Sequence, residues 1–163
     1  MRINFVKMHG AGNDYIYVDG MKQRGEIKED VVIQTGLSTY EPRSCQWART
    51  FPCQKMNQLI SEARIVISHG GPSSFFAPMM MGKIPVVVPR TKRLHEHVND
   101  HQVRFCRQLK DLGGNILLAE DEPQLKYILE HYDEITHSMS GRFESNNDAF
   151  IRKFADIVDE LFR

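Results

Sequence analysis

The chain has 163 residues with 21 basic and 21 acidic side chains, a net charge of zero with histidine neutral. That length supports one domain around a single core. The balanced charge excludes a global basic field for nucleic acid, and the apolar runs at 65–67 and 84–88 fall far short of the ~20 residues that span a bilayer.

The opening Met1-Arg2-Ile3-Asn4 has no apolar core, so no secretory signal is expected. Cys45, Cys53 and Cys106 form an odd, unpatterned set. Such a set fits a reducing cytosol and small semi-buried side chains better than a disulfide framework. No internal repeat or low-complexity tract is present.

From residue 30 onward strands alternate with amphipathic stretches. Residues 30–36 (DVVIQTG) are β-branched and end on glycine. Residues 54–63 place Met56, Leu59, Ile60 and Ala63 on one helical face. Residues 64–69 (RIVISH) are a nearly continuous apolar strand, as in a sheet covered on both faces. Residues 72–81 predict a helix stopped by Gly82 and kept short or kinked by Pro78. A buried strand follows at 84–89 (IPVVVP). A helix is expected over 99–112, capped by Asn99 or Asp100 and stopped by Gly113-Gly114. Residues 115–119 (NILLA) read as a strand, and 122–137 and 148–162 as the last helices. The last carries Phe150, Ile151, Phe154, Ile157, Val158, Leu161 and Phe162. That stripe is wide enough to pack on this domain, or to serve a partner or a second copy.

Strands joined through single helices imply βαβ crossovers. The expected fold is therefore α/β: a Rossmann-like, mostly parallel sheet with helices on both faces. In such folds ligands bind at the carboxyl ends of strands, over helix N-termini. That rule selects the turns after His69, Pro89 and Ala119.

The first of these turns is Ser68-His69-Gly70-Gly71-Pro72-Ser73-Ser74. Glycines admit close backbone approach, and Pro72 suits a first helical turn, where its missing N–H costs nothing. Free amides and two hydroxyls at a helix start form a site for a diphosphate, although a plain strand-to-helix connection has the same residues. The second turn (PRTKRLHEHVNDHQ, 89–102) is crowded with mixed polar groups. Arg90 there is suited to phosphate charge. His95, His97 and His101 have no cysteine or carboxylate cluster to complete a metal site, so no metal is expected. Dinucleotide-fingerprint, P-loop and zincin motifs are absent.

Three segments carry a family resemblance: 25–42 (GEIKEDVVIQTGLSTYEP), 63–90 (ARIVISHGGPSSFFAPMMMGKIPVVVPR) and 96–105 (EHVNDHQVRF). Over about 25–162 the chain resembles the C-terminal-domain type of glycosyltransferase family 28. Within it the look is that of the small bacterial capsule and exopolysaccharide β-1,4-galactosyltransferase catalytic subunits. The cytosolic subunit of the eukaryotic dolichol-linked N-acetylglucosaminyltransferase is a more distant likeness. The resemblance implies the nucleotide-binding half of a GT-B enzyme and a single nucleotide-sugar-binding domain over 1–163, with an atypical segment at 1–24. It assigns the diphosphate of a UDP-sugar to His69, Gly70, Gly71, Pro72, Ser73 and Ser74, and puts His101 and Gln102 in the same cleft beside Arg90. The position where the lipid-linked peptidoglycan relative has a ribose-holding glutamate falls near Ala77-Pro78 here.

Residues 2–20 (RINFVKMHGAGNDYIYVDG) resemble instead the opening of diaminopimelate epimerase, with Asn13 in the substrate-touching position. Neither of that enzyme's cysteine turns has a counterpart around Cys45, Cys53 or Cys106. Residues 14–19 read as a strand.

The expected activity is transfer of a sugar, galactose by the resemblance, from a UDP-sugar to a lipid-linked saccharide in surface polysaccharide synthesis. The alternatives are a non-catalytic, partner-binding remnant of such a subunit and an epimerase-like fragment. A membrane-attached partner is expected to supply the acceptor-binding half, which makes the chain cytoplasmic and peripheral at the inner face of the membrane. A homo-oligomer remains open. No cofactor is expected beyond the donor. The catalytic candidates are His9, by position, and His69.

Overall fold

The computed structural model describes residues 15–18, 31–36, 41–43, 45–141 and 146–162. In chain order the elements are β1 (Tyr15–Val18), β2 (Val31–Gln34), β3 (Gln46–Ala48), α1 (Cys53–Glu62), β4 (Ile65–His69) and α2 (Pro72–Met80). They continue as β5 (Val86–Val88), α3 (His101–Asp111), β6 (Leu117–Leu118), α4 (Glu122–Glu130), α5 (Tyr132–Thr136) and α6 (Asn147–Leu161). His9 and Asn13 lie outside the described residues.

The strands form one sheet in the order β3-β2-β1-β4-β5-β6. The pairs β2–β3, β4–β5 and β5–β6 are parallel. β1 runs antiparallel to both neighbours, with Tyr15 opposite Gln34 on one side and Ser68 on the other. The sheet is thus mostly parallel, with one reversed strand inserted between β2 and β4.

The period of two along each strand sorts side chains onto two covered faces. Ile65, Ile67, Val86, Val88, Leu117 and Ala119 pack against Leu125, Ile128 and Leu129 of α4 and Tyr132 of α5. Val66, on the opposite face, meets Met56, Leu59 and Ile60 of α1. Val87 and Leu118, also on that opposite face, join Phe75 and Met79 of α2 and Cys106 of α3. This double cover explains why β4, β5 and β6 are buried at every position.

Helix ends follow the sequence closely. Pro72 occupies the first turn of α2, Pro78 lies inside it, and Gly82 leaves it at φ 76°. Gly113 takes φ 77° after α3, a left-handed conformation that costs glycine little. Asp121 caps α4 by accepting the Gln124 amide at 2.8 Å.

Three features differ from the sequence reading. The strand β3 at the sheet edge was not foreseen. The helix expected over 122–137 breaks at His131 into α4 and α5. Tertiary contacts hold α5 in place. The buried Tyr132 hydroxyl donates to the Ile84 carbonyl at 2.8 Å, and Asp133 accepts two bonds from Arg64 at 2.8 and 2.9 Å. Finally, none of the residues of α6 is buried, so among the described residues nothing packs over its apolar stripe.

Phe75 is fully buried, with ring centroids 4.9 Å from Phe76 and 6.2 Å from Phe105. Replacing it with alanine empties the seam between α2, α3 and the sheet. Phe75→Ala is expected to lose about 3–5 kcal/mol, read as a lower urea midpoint at unchanged slope.

Candidate functional site

β4 and β5 are parallel neighbours, so the turns that follow them lie side by side at the carboxyl edge of the sheet. β4 ends on His69, and the chain passes through Gly70 and Gly71 into α2 at Pro72. Gly71 occupies the N-cap position with no side chain to cap the helix. The His69 imidazole takes over part of that task. Its Nδ1 accepts the Gly71 amide at 2.9 Å, and its Nε2 lies 2.9 Å from Ser74 Oγ. An accepting Nδ1 requires the neutral ring with its proton on Nε2, so Nε2 donates to the Ser74 hydroxyl. His69 and Ser74 are both buried, whereas Ser73 is exposed. The two serines thus have different places: Ser74 faces inward as part of a clasp, and Ser73 faces outward at the helix start.

Each glycine of the turn answers a specific crowding. A Cβ on Gly71 would overlap the His69 imidazole. One on Gly70 would sit 2.9 Å from Cys106 Sγ and 3.1 Å from the Cβ atoms of Gln102 and Pro89. The backbone at Gly70 is therefore wedged between the end of β5 and the first turns of α3. That wedge brings the glycine turn against Gln102. His101 begins the same helix but is exposed.

Gln102 is buried, and its Oε1 accepts the Arg90 amide at 3.0 Å, tying the end of β5 to α3. Arg90 is half-buried at this junction. The loop between them is built by its own carboxylates. Glu96 accepts the Thr91 amide at 3.0 Å and Asp100 accepts the Lys92 amide at 2.8 Å. His95 adopts φ 56° within this arrangement. Asp100 holds the N-cap position of α3 and its carbonyl accepts the Arg104 amide, but its side chain makes no bond to its own helix. The Asn99 side chain instead accepts the His101 amide at 2.9 Å. Polar crowding that reads as ligand chemistry in the sequence thus serves partly to fold the loop. An open depression here is lined by Lys92, His95, Glu96, His97 and Val98. Among the described residues, no group of three or more His, Cys, Asp or Glu is placed to hold a metal ion.

The third turn, after β6, is fixed by charge. Arg107 of α3 donates to Glu120 through Nε at 2.7 Å and also through Nη2. That hydrogen bonding holds the Glu120 carboxyl below its ordinary range; burial opposes it, and the Arg107 and Lys110 charges add to the lowering. Sequence reasoning also passed over the turn at the end of β2. There Gln34 and Thr35 are buried, and Gln34 Oε1 accepts the Phe51 amide at 2.9 Å. A polar Gln-Thr-Gly run closing a β-branched strand was the available signal.

The sequence model of the glycosyltransferase family 28 C-terminal domain matches residues 17–161, most of the chain. No curated protein matches, and no solved structure matches.

The wedge beneath Gly70 has a titration signature. Burial first, and the Glu120 charge second, push the Cys106 thiol from an ordinary 9.0 up to about 11. Its stabilising contribution is therefore complete below pH 9 and is lost between about pH 9 and 11, where the unfolded chain ionises and the fold does not. Thiol labelling of native protein at pH 8 is expected to modify exposed Cys53 promptly and Cys106 only on unfolding. Cys106→Ala is expected to flatten the decline in urea stability over that alkaline window.

Proposed function

We propose that this chain, which belongs to glycosyltransferase family 28 as a C-terminal-domain-type member, is the donor-binding half of a two-part hexosyltransferase. In this reading the donor is a UDP-sugar, with galactose as the sugar. The acceptor is a lipid-linked saccharide of surface polysaccharide synthesis, presented by a membrane-attached partner protein. The chain would work at the cytoplasmic face of the membrane and be held there through that partner. Among the described residues, no helix is long and apolar enough to cross a membrane.

The observation that supports the reading best is the His69 clasp on the glycine turn at the start of α2. The start of α2 offers the positive end of the helix dipole and the Ser73 amide, both favourable to a diphosphate, while the Gly71 amide is held by His69, the Ser74 amide by the Gly71 carbonyl, and Pro72 has none. Ser73 adds an exposed hydroxyl, and Arg90 a cation from the neighbouring turn. In the transfer step the acceptor oxygen forms a bond to the anomeric carbon while the bond from that carbon to the diphosphate oxygen breaks. Negative charge then grows on the departing UDP. Fixed amides and a guanidinium aimed at that charge stabilise the transition state more than the ground state. The proton of the acceptor hydroxyl must pass to a base. His69 is poorly suited, because its Nδ1 lone pair is engaged by the Gly71 amide and its Nε2 proton by Ser74. We assign His69 as the brace of the turn and leave the base to His9 or to a group on the partner. His101 and Gln102 would border the same cleft, with Gln102 acting through the Arg90 backbone.

Calorimetric titration with UDP tests this reading. Saturable binding is expected, weakened tenfold or more by His69→Ala and about tenfold by Arg90→Ala, each step of ten being about 1.4 kcal/mol. Circular dichroism of both variants checks that the fold persists. Co-expression with the cognate membrane subunit is then expected to give sugar transfer to a lipid acceptor. Absence of UDP binding both alone and with that subunit would contradict the proposal in favour of a non-catalytic, partner-binding protein.

A further inference from the structure

α6 has a face that nothing in the described residues covers. Phe150 is 61% exposed, Phe154 56%, Ile157 54% and Leu161 74%. Their spacing of four, three and four is the a/d pattern of two heptads, a seam made for another helix. Ile151 and Val158 widen the seam along one flank, and Lys153 and Glu160 border it along the other. A bilayer surface fits poorly. The helix carries four carboxylates (Asp148, Asp156, Asp159, Glu160) against two cations (Arg152, Lys153), whereas surface-lying helices are rich in lysine and arginine.

The distribution of charge along the flank chooses the occupant. We infer that α6 pairs antiparallel with α6 of a second copy of this chain. Reversing one helix sets Phe154 against Ile157 and Phe150 against Leu161 of the second copy, in both directions about a two-fold axis. The same reversal brings Lys153 beside Glu160 of the other chain, twice, because like flanks meet in an antiparallel pair. It also sets the apolar flank against itself, Ile151 beside Val158. A parallel pair would put Lys153 next to Val158 and leave the charge pattern unused. Only two heptads take part, so the pairing is weak and concentration-dependent. This inference does not depend on the donor-site reading.

Light scattering coupled to gel filtration tests it, with the whole chain at roughly 100 micromolar, where pairs held by micromolar affinity are populated. The expected result is a dimer that dissociates on dilution and that Phe154→Lys converts to monomer with unchanged circular dichroism. Lys153→Glu is expected to weaken dimerisation several-fold, and Lys153→Glu with Glu160→Lys to restore it. A monomeric wild type at that concentration overturns the inference, as does a dimer indifferent to Phe154→Lys. Failure of the double charge exchange to restore what the single change removed overturns the antiparallel arrangement.

Discussion

The geometry of the candidate site hangs on one side chain. His69 ends a strand buried at every position and turns its ring back over the next two residues, accepting the Gly71 amide and meeting the Ser74 hydroxyl. Both contacts are needed because the helix that follows begins on glycine and proline and has no side chain of its own to cap it. The Gly71 amide is half-buried, and the imidazole supplies it with the acceptor that the local sequence lacks. The clasp also explains the second glycine, since any side chain there would occupy the space of the ring.

From this turn the constraint spreads sideways. Gly70 lies against Cys106, Gln102 and Pro89, so the distance between β4 and α3 is set by a residue without a side chain. Gln102 then passes the constraint to β5 through the Arg90 amide. Position along the sheet edge, burial and hydrogen bonding therefore act as one unit. The exposed Ser73 and the half-buried Arg90 stand on this rigid base, which is the arrangement that a preorganised anion site requires.

Much of this was legible in the chain because buried strands and amphipathic helices announce themselves by period. Ile65 to Ile67 and Val86 to Val88 are apolar at every position since both faces of the sheet are covered, and Met56, Leu59 and Ile60 recur at helical spacing. What stayed hidden depended on partners distant in sequence. The edge strand Gln46–Ala48 exists through its pairing with β2, and its residues alternate too briefly to reveal it. A strand around residues 14–19 could be read from its aromatic and β-branched residues, but not its reversed direction between β2 and β4. No glycine or proline marks the break at His131. It follows from Tyr132 reaching Ile84 and Arg64 reaching Asp133. The roles of Glu96 and Asp100 were hidden for the same reason: a carboxylate that binds a backbone amide five or eight residues away looks in sequence like one awaiting a ligand.

The central claim is that a diphosphate sits at the amino end of α2, over the glycine turn and the Ser73 amide. The most direct measurement is the amide NMR spectrum of the labelled chain as UDP is added. The account predicts that the amides of Gly70, Gly71, Ser73, Ser74 and Arg90 shift together and saturate with one affinity, while those of α4 and α5 on the far face stay in place. Saturable binding that moves α4 and α5 and leaves the glycine turn untouched would contradict it.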